Sequence, residues 1–166
     1  LELLLDIPLS DGYHEVTLCA DGTFVARGML AVAPVACYRP QSLRDGYRLW
    51  GIAAQVYGLR SARNWGIGDF SDLAELAARA ATAGADVVGV NPLHALFPDD
   101  PERASPYGPS SRIFLNILYL DVEAIAEFDR CAPARDLVCT AAFQAKLGEL
   151  RASELVDYAG VAAVKL

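Results

Sequence analysis

The sequence lacks the features that would assign it to several large classes of protein. No apolar run approaches the length that spans a bilayer, so a membrane partner is not expected. Basic residues are outnumbered, with 14 Lys and Arg against 21 Asp and Glu, and the net charge of −7 also argues against a nucleic-acid partner. The 166 residues, 54% of them hydrophobic, are typical of a folded globular chain of one domain or parts of two.

Cysteines at metal-binding or redox spacing are also missing. The four cysteines are Cys19, Cys37, Cys131 and Cys139, without a CxxC pair and with only two His, so no metal site is predicted. We expect buried, reduced thiols. The first residues lack the basic start and cleavage site of a signal peptide, which favours a cytoplasmic location. The absence of an initial Met favours a fragment or a processed start.

Two Asp-Gly pairs, Asp11-Gly12 and Asp21-Gly22, divide residues 1–40. They separate three β-prone runs: Leu3–Leu9, Tyr13–Cys19 and Thr23–Val32. Asp-Gly favours a hairpin turn because both positions tolerate positive φ. We therefore predict a partial antiparallel, sandwich-like β domain over 1–40, followed by a linker over 41–48.

From residue 49 the pattern becomes α/β. An apolar run over 49–57 predicts a buried strand. Trp50 begins it and is predicted to be a buried core residue rather than a sugar platform. Asp69 is a good N-cap for a helix with Asp72 in its first turn, and Gly84 is a good stop. A second apolar strand over 86–91 then implies a parallel pair joined by a crossover helix. Further elements are predicted over 114–122 (strand or extended), 141–150 (helix) and 154–166 (helix).

Four segments between residues 55 and 112 resemble the 4-α-glucanotransferase family, also called amylomaltase or disproportionating enzyme. They read QVYGLRS over 55–61, NWGIGDF over 64–70, NPLHALFP over 91–98 and SPYGPSSR over 105–112. Residues 116–121 also fit, with Ile117 where the family usually has Pro. Long motifs in one order make the resemblance specific.

The resemblance implies a (β/α)8 TIM barrel, of which residues 49–166 would form the first βα units. It implies transfer of α-1,4-glucan segments between maltooligosaccharides, as in starch, glycogen and maltodextrin metabolism, by retaining double displacement with two carboxylates and without a cofactor. In the family these carboxylates come from the second half of the barrel, and nothing here matches them. We therefore assign no catalytic residue and expect the chain alone to be inactive.

The resemblance and the residue types together suggest five substrate-binding residues. Tyr107 is the strongest, because its ring can stack on a glucose ring and the family places this Tyr beside the scissile bond. Ser105 could reach a sugar hydroxyl or serve the turn before Pro106. The others are Asn91, His94 and Trp65. Asn91 could instead pin its loop, His94 could be structural, and Trp65 could be a sugar platform or part of the core.

Two alternative functions stay open at this point. The chain could be a non-catalytic carbohydrate-binding module that reuses these loops, or an α-glucan hydrolase of the same broad clan. Sugar binding without turnover would indicate the first, and new reducing ends the second. The oligomeric state does not follow from the sequence.

Overall fold

The computed structural model describes residues 8–166, so the predicted strand Leu3–Leu9 lies almost entirely outside the described residues. The chain separates into two compact units, Leu1–Arg48 and Leu49–Leu166. Within the described part, every helix is too short or too polar to cross a membrane.

The N-terminal unit contains an antiparallel hairpin of β1 (Gly12–Ala20) and β2 (Thr23–Val32). Its turn is Asp21-Gly22, where φ is 50° and 77°, which confirms the turn predicted from this pair. A single helical turn, α1 (Gln41–Arg44), lies within the predicted linker. In the described residues of this unit the sheet has two strands, so a sandwich stays a prediction.

The C-terminal unit begins with a strand, a helix and a second strand. β3 (Gly51–Ala54) and β4 (Val87–Val90) pair in parallel, and α2 (Phe70–Thr82) connects them, as predicted. β3 is shorter than the predicted strand over 49–57. The chain turns into a 3₁₀ helix at Val56–Gly58 because the Val56 N–H donates to Asn91 Oδ1 rather than to a strand.

The ends of α2 follow local rules. Asp69 and Asp72 form a capping box, in which each carboxylate accepts from the other residue's backbone N–H. At the other end Gly84 has φ 86°, and the N–H groups of Gly84 and Ala85 donate to Ala81 O and Ala80 O. Both predicted boundaries are therefore confirmed.

The rest of the unit is short strands and helices. β5 (His94–Ala95) pairs antiparallel with β6 (Ser111–Leu115), and neither this ribbon nor α3 (Ala132–Val138) was predicted as such. The predicted C-terminal helices are present as α4 (Ala141–Ala152) and α5 (Tyr158–Lys165). Between β6 and α3 the chain forms three 3₁₀ turns, Ile117–Tyr119, Val122–Ala124 and Phe128–Arg130.

The core of this unit lies between the loop after β3 and the C-terminal helices. Its buried members are Val56, Trp65, Ile67, Leu118, Tyr119, Val138, Leu147, Leu150, Val161 and Ala162. Two sequence predictions about burial are wrong. Trp50 is 49% exposed, because it precedes β3 and does not join this cluster. The four cysteines are free and exposed, since they lie on the hairpin, in the segment after it and at the two ends of α3.

Candidate functional site

A cleft of about 660 Å³ opens where β3 and β4 end. Its lining residues are Ala53, Ala54, Gln55, Gly58, Leu59, Gly89, Val90, Asn91 and Tyr107. The carboxyl ends of parallel strands are where binding and catalytic groups collect in barrels and open α/β sheets. None of these side chains carries a charge at neutral pH, so the cleft suits a neutral ligand rather than an ionic one.

Tyr107 is one of the residues that line this cleft. It lies in a turn closed by the Gly108 N–H, which donates to Ser105 O at 3.2 Å, and it follows the buried Pro106. Tyr107 is 70% exposed, so its aromatic face is available to a ligand. Ser105 is also exposed but is not part of the cleft lining, and only its carbonyl takes part in this turn.

Asn91 lies on the cleft wall, but its amide is committed to the protein. Its Oδ1 accepts from the Val56 N–H at 2.7 Å. Its Nδ2 donates to Pro92 O at 2.8 Å and to the Tyr119 hydroxyl at 3.2 Å. Burial raises the pKa of Tyr119, while the Asn91 hydrogen bond acts in the opposite direction. With 5% exposure, Asn91 joins the end of β4 to the loop after β3.

The other two predicted residues lie away from the cleft. His94 is half-buried in β5, opposite Leu115. Trp65 is 5% exposed, and its Nε1–H donates to Glu123 Oε1 at 3.1 Å. Its ring meets Phe143 edge-on, with centroids 5.2 Å apart. Of the five predicted residues, the structure therefore brings Tyr107 and Asn91 together at the cleft.

The glycines around Trp65 have a structural explanation. Gly66 has φ 86°, and a side chain there would meet Leu150 of α4. A Cβ at Gly68 would overlap Val56 O of the 3₁₀ turn. These positions need glycine because the loop passes close to other backbone.

A partly buried ionic cluster, termed the Arg63 network, lies beside this loop. Its members are Arg63, Asn64, Asp69, Asp72 and Asp121. The Arg63 guanidinium bonds Asp72 at 2.8 Å and Asp69 and Asp121 at 3.2 Å each. Burial lowers the pKa of Arg63, but the three carboxylates outweigh it and the pKa is raised.

Asp121 and Glu123 stand at the 3₁₀ turn Val122–Ala124, but neither side chain caps it. Asp121 instead pairs with Arg63, and Glu123 accepts from Trp65. Their carboxylates thus serve contacts far along the chain.

Sequence reasoning missed Gln55, the second amide on the cleft. It stands directly after β3, with an exposed side chain. The available signal was its position at the carboxyl end of a predicted parallel strand, the same argument that singled out Asn91 after β4.

Comparison with known proteins agrees with the motifs. A family model described as 4-alpha-glucanotransferase matches residues 54–166. A 4-alpha-glucanotransferase of Haemophilus influenzae is 44% identical over 159 residues, covering 96% of this chain and 22% of that protein. One of Mycobacterium tuberculosis (strain ATCC 25618 / H37Rv) is 47% identical over 129 residues, covering 74% and 17%.

A solved structure supports the same assignment. The crystal structure of amylomaltase from Corynebacterium glutamicum matches with a TM-score of 0.76 and 35% identity, covering 96% of this chain and 23% of that one. These two matches cover nearly the whole of this chain, but the chain spans only about a fifth of the length of either relative. The resemblance seen in the sequence is confirmed, and the chain belongs to the 4-α-glucanotransferase family.

Proposed function

We propose that this chain supplies part of the sugar-binding surface of a cytoplasmic 4-α-glucanotransferase. The whole enzyme would transfer α-1,4-glucan segments between maltooligosaccharides by retaining double displacement, without a cofactor. The observation that carries the proposal is the uncharged cleft at the ends of β3 and β4, with Tyr107 exposed on it.

Tyr107 would bind the glucan by stacking on the apolar face of a glucose ring. The buried Pro106 and the turn back to Ser105 O hold the loop, so little conformational entropy is lost on binding. Ser105, two residues before Tyr107, would reach a sugar hydroxyl from outside the cleft lining. Asn91 would act indirectly, by holding the two loops that form the cleft walls.

We further propose that residues 49–166 are the first βα units of a (β/α)8 barrel and that 1–40 belong to a separate β domain. The parallel pairing of β3 and β4 supports this arrangement. Val87 and Val90 of β4 are 54% and 39% exposed, as expected for a strand that accepts a further neighbour.

The chain alone should not catalyse transfer. A retaining mechanism needs two carboxyl groups about 5 Å apart at the scissile bond. The cleft lining contains no carboxylate in the described part of the chain. Asp69, Asp72 and Asp121 lie outside the cleft lining, where each is paired with Arg63.

The test compares the purified chain with the 4-alpha-glucanotransferase of Haemophilus influenzae. Each is titrated with maltoheptaose in a calorimeter, then incubated with maltotriose and the sugars chromatographed. We expect the chain to bind without turnover, and the longer protein to yield glucose and longer oligomers. Transfer products from the chain would overturn the proposed inactivity, maltose and glucose alone would indicate hydrolysis, and absence of binding would overturn the sugar-binding role.

A further inference from the structure

The two amide side chains on the cleft differ in what they leave for a ligand. Both hydrogen-bonding atoms of Asn91 have protein partners, and the residue is buried. Gln55 is exposed at the mouth of the same cleft. A ligand that needs an amide donor can therefore obtain it from Gln55 without breaking an internal hydrogen bond.

A neighbouring tyrosine determines which end of the Gln55 amide is free. The Tyr57 hydroxyl donates a hydrogen bond to Gln55 Oε1. Tyr57 is half-buried and packs against the core, so its hydroxyl is held in place. Within residues 8–166, Gln55 Nε2 has no hydrogen-bond partner, and the amide thus presents two N–H donors.

We propose that Gln55 is a substrate-binding residue that donates a hydrogen bond to an oxygen of the bound glucan, and that Tyr57 is a positioning residue acting through it. This inference rests on the proposed function of the cleft. A glucan offers hydroxyl, ring and glycosidic oxygens as acceptors and carries no charge, which fits a neutral donor. Stacking on Tyr107 leaves a sugar free to slide, and a directional hydrogen bond from Gln55 fixes its position.

The roles of the two residues predict different effects. Gln55→Met keeps the length of the side chain and removes its donors, so the Kd for maltoheptaose should rise about 3- to 10-fold, the worth of one neutral hydrogen bond. Tyr57→Phe keeps Gln55 but releases its amide, so the Kd should rise less, about 2-fold. Gln41→Met makes the same chemical change outside the C-terminal unit and should leave the Kd unchanged.

The experiment is a calorimetric titration of the 166-residue chain and these variants with maltoheptaose, alongside Tyr107→Ala. Side-chain amide resonances of ¹⁵N-labelled protein provide a second readout, because those of Gln55 should shift on sugar addition while those of Gln41 should not. A purely structural role for Gln55 would not produce that shift.

The outcomes separate the two proposals. If the chain binds the sugar and Tyr107→Ala weakens binding, but Gln55→Met leaves the Kd and the Gln55 resonances unchanged, the role of Gln55 is overturned and the proposed function stands. If the wild-type chain does not bind, both are overturned. Weaker binding by Gln55→Met together with the resonance shift supports both.

Discussion

The Arg63 network and the cleft both contain polar side chains, yet they differ in whether those side chains find partners within the protein. In the network, Arg63 and Asn64 are paired with the carboxylates around them, and Asp69 and Asp72 are buried. In the cleft, Tyr107 and Gln55 are exposed. A polar cluster that satisfies itself stabilises the fold, whereas one with donors left over is available to a ligand.

The largest expected effect comes from breaking the Arg63 network. Asp72→Ala removes one of the three carboxylates on Arg63, one of the two acceptors of Asn64 Nδ2 and the acceptor of the Asp69 N–H. The Asp69 N–H is buried, but Arg63 is 39% exposed and keeps two carboxylates, so the free energy of unfolding should fall by about 2–3 kcal/mol. Urea denaturation followed by circular dichroism measures this.

A matched control for Asp72→Ala lies on the same helix. Glu75→Ala removes an exposed ion pair with Arg79 and should cost less than about 0.5 kcal/mol. Equal losses in the two variants would contradict a structural role for the network.

Asn91 tests the comparison directly, because it lines the cleft but is internally satisfied. Asn91→Ala removes the hydrogen-bond partner of the Val56 N–H and of the Tyr119 hydroxyl, so the free energy of unfolding should fall by about 2 kcal/mol. Ser105→Ala, at an exposed site two residues before Tyr107, should change it by less than about 0.5 kcal/mol. An Asn91→Ala chain as stable as Ser105→Ala would place Asn91 with the ligand-binding groups instead.

Tyr107→Ala should weaken sugar binding and leave stability unchanged, the opposite of the effect expected for Asn91→Ala. Loss of the stacking face should weaken maltoheptaose binding about 10-fold, a free-energy change of about 1.4 kcal/mol. Because the ring is 70% exposed, the free energy of unfolding should stay within about 0.5 kcal/mol of wild type. Calorimetry and urea denaturation of the same samples measure both, and a stability loss without an affinity loss would assign Tyr107 to the fold.

The smallest expected effect is a change in the free energy of unfolding with pH, caused by the titration of Lys165. Lys165 Nζ donates to Leu118 O and Leu120 O, and burial lowers its pKa to about 8, against the opposing effect of Asp69, Asp121 and Asp72. The unfolded chain keeps this proton up to about pH 10.5, so the free energy of unfolding should rise with pH above 8. With the side chain partly exposed, we expect a gain of about 1 kcal/mol by pH 10.

Tyr158 limits that rise. Burial raises its pKa to about 12 from 10, so the folded chain holds a proton that the unfolded chain loses above pH 10. Stability should therefore decline between pH 10 and 12. Urea denaturation at pH 8, 9, 10 and 11 measures both the rise and the decline in the free energy of unfolding. Lys165→Met should remove the rise. A rise that persists in Lys165→Met would show that another group causes it.

Features that depend on neighbouring residues were predictable from the sequence. The Asp21-Gly22 turn and the Asp69 cap form through contacts within a few residues, so their residue types indicate them directly. The parallel pairing of β3 and β4 followed from two apolar runs around a helix. Tyr107 was predicted because its ring can stack on a sugar and because the Ser-Pro-Tyr motif could be matched to a family.

Features that depend on distant partners were not predictable. Trp65 lies in the core, where its indole N–H donates a hydrogen bond to Glu123, 58 positions away. The strand predicted over 49–57 ended early because Asn91, 35 positions away, takes up the Val56 N–H. Sequence patterns report the preferences of a residue and its neighbours, and they do not report which partner it meets after folding.

The sequence by itself determined the acidic balance, the hairpin turn, the limits of α2 and the family. The tertiary structure alone decided which polar groups are consumed within the protein and which remain for a ligand. Asn91 and Gln55 illustrate the division, since each follows a strand of the same sheet and each carries an amide. The Asn91 amide is fully hydrogen-bonded to Val56, Pro92 and Tyr119, whereas the Gln55 amide keeps its N–H donors. The difference arises because the neighbours that a side chain meets after folding decide whether its hydrogen-bonding groups find partners.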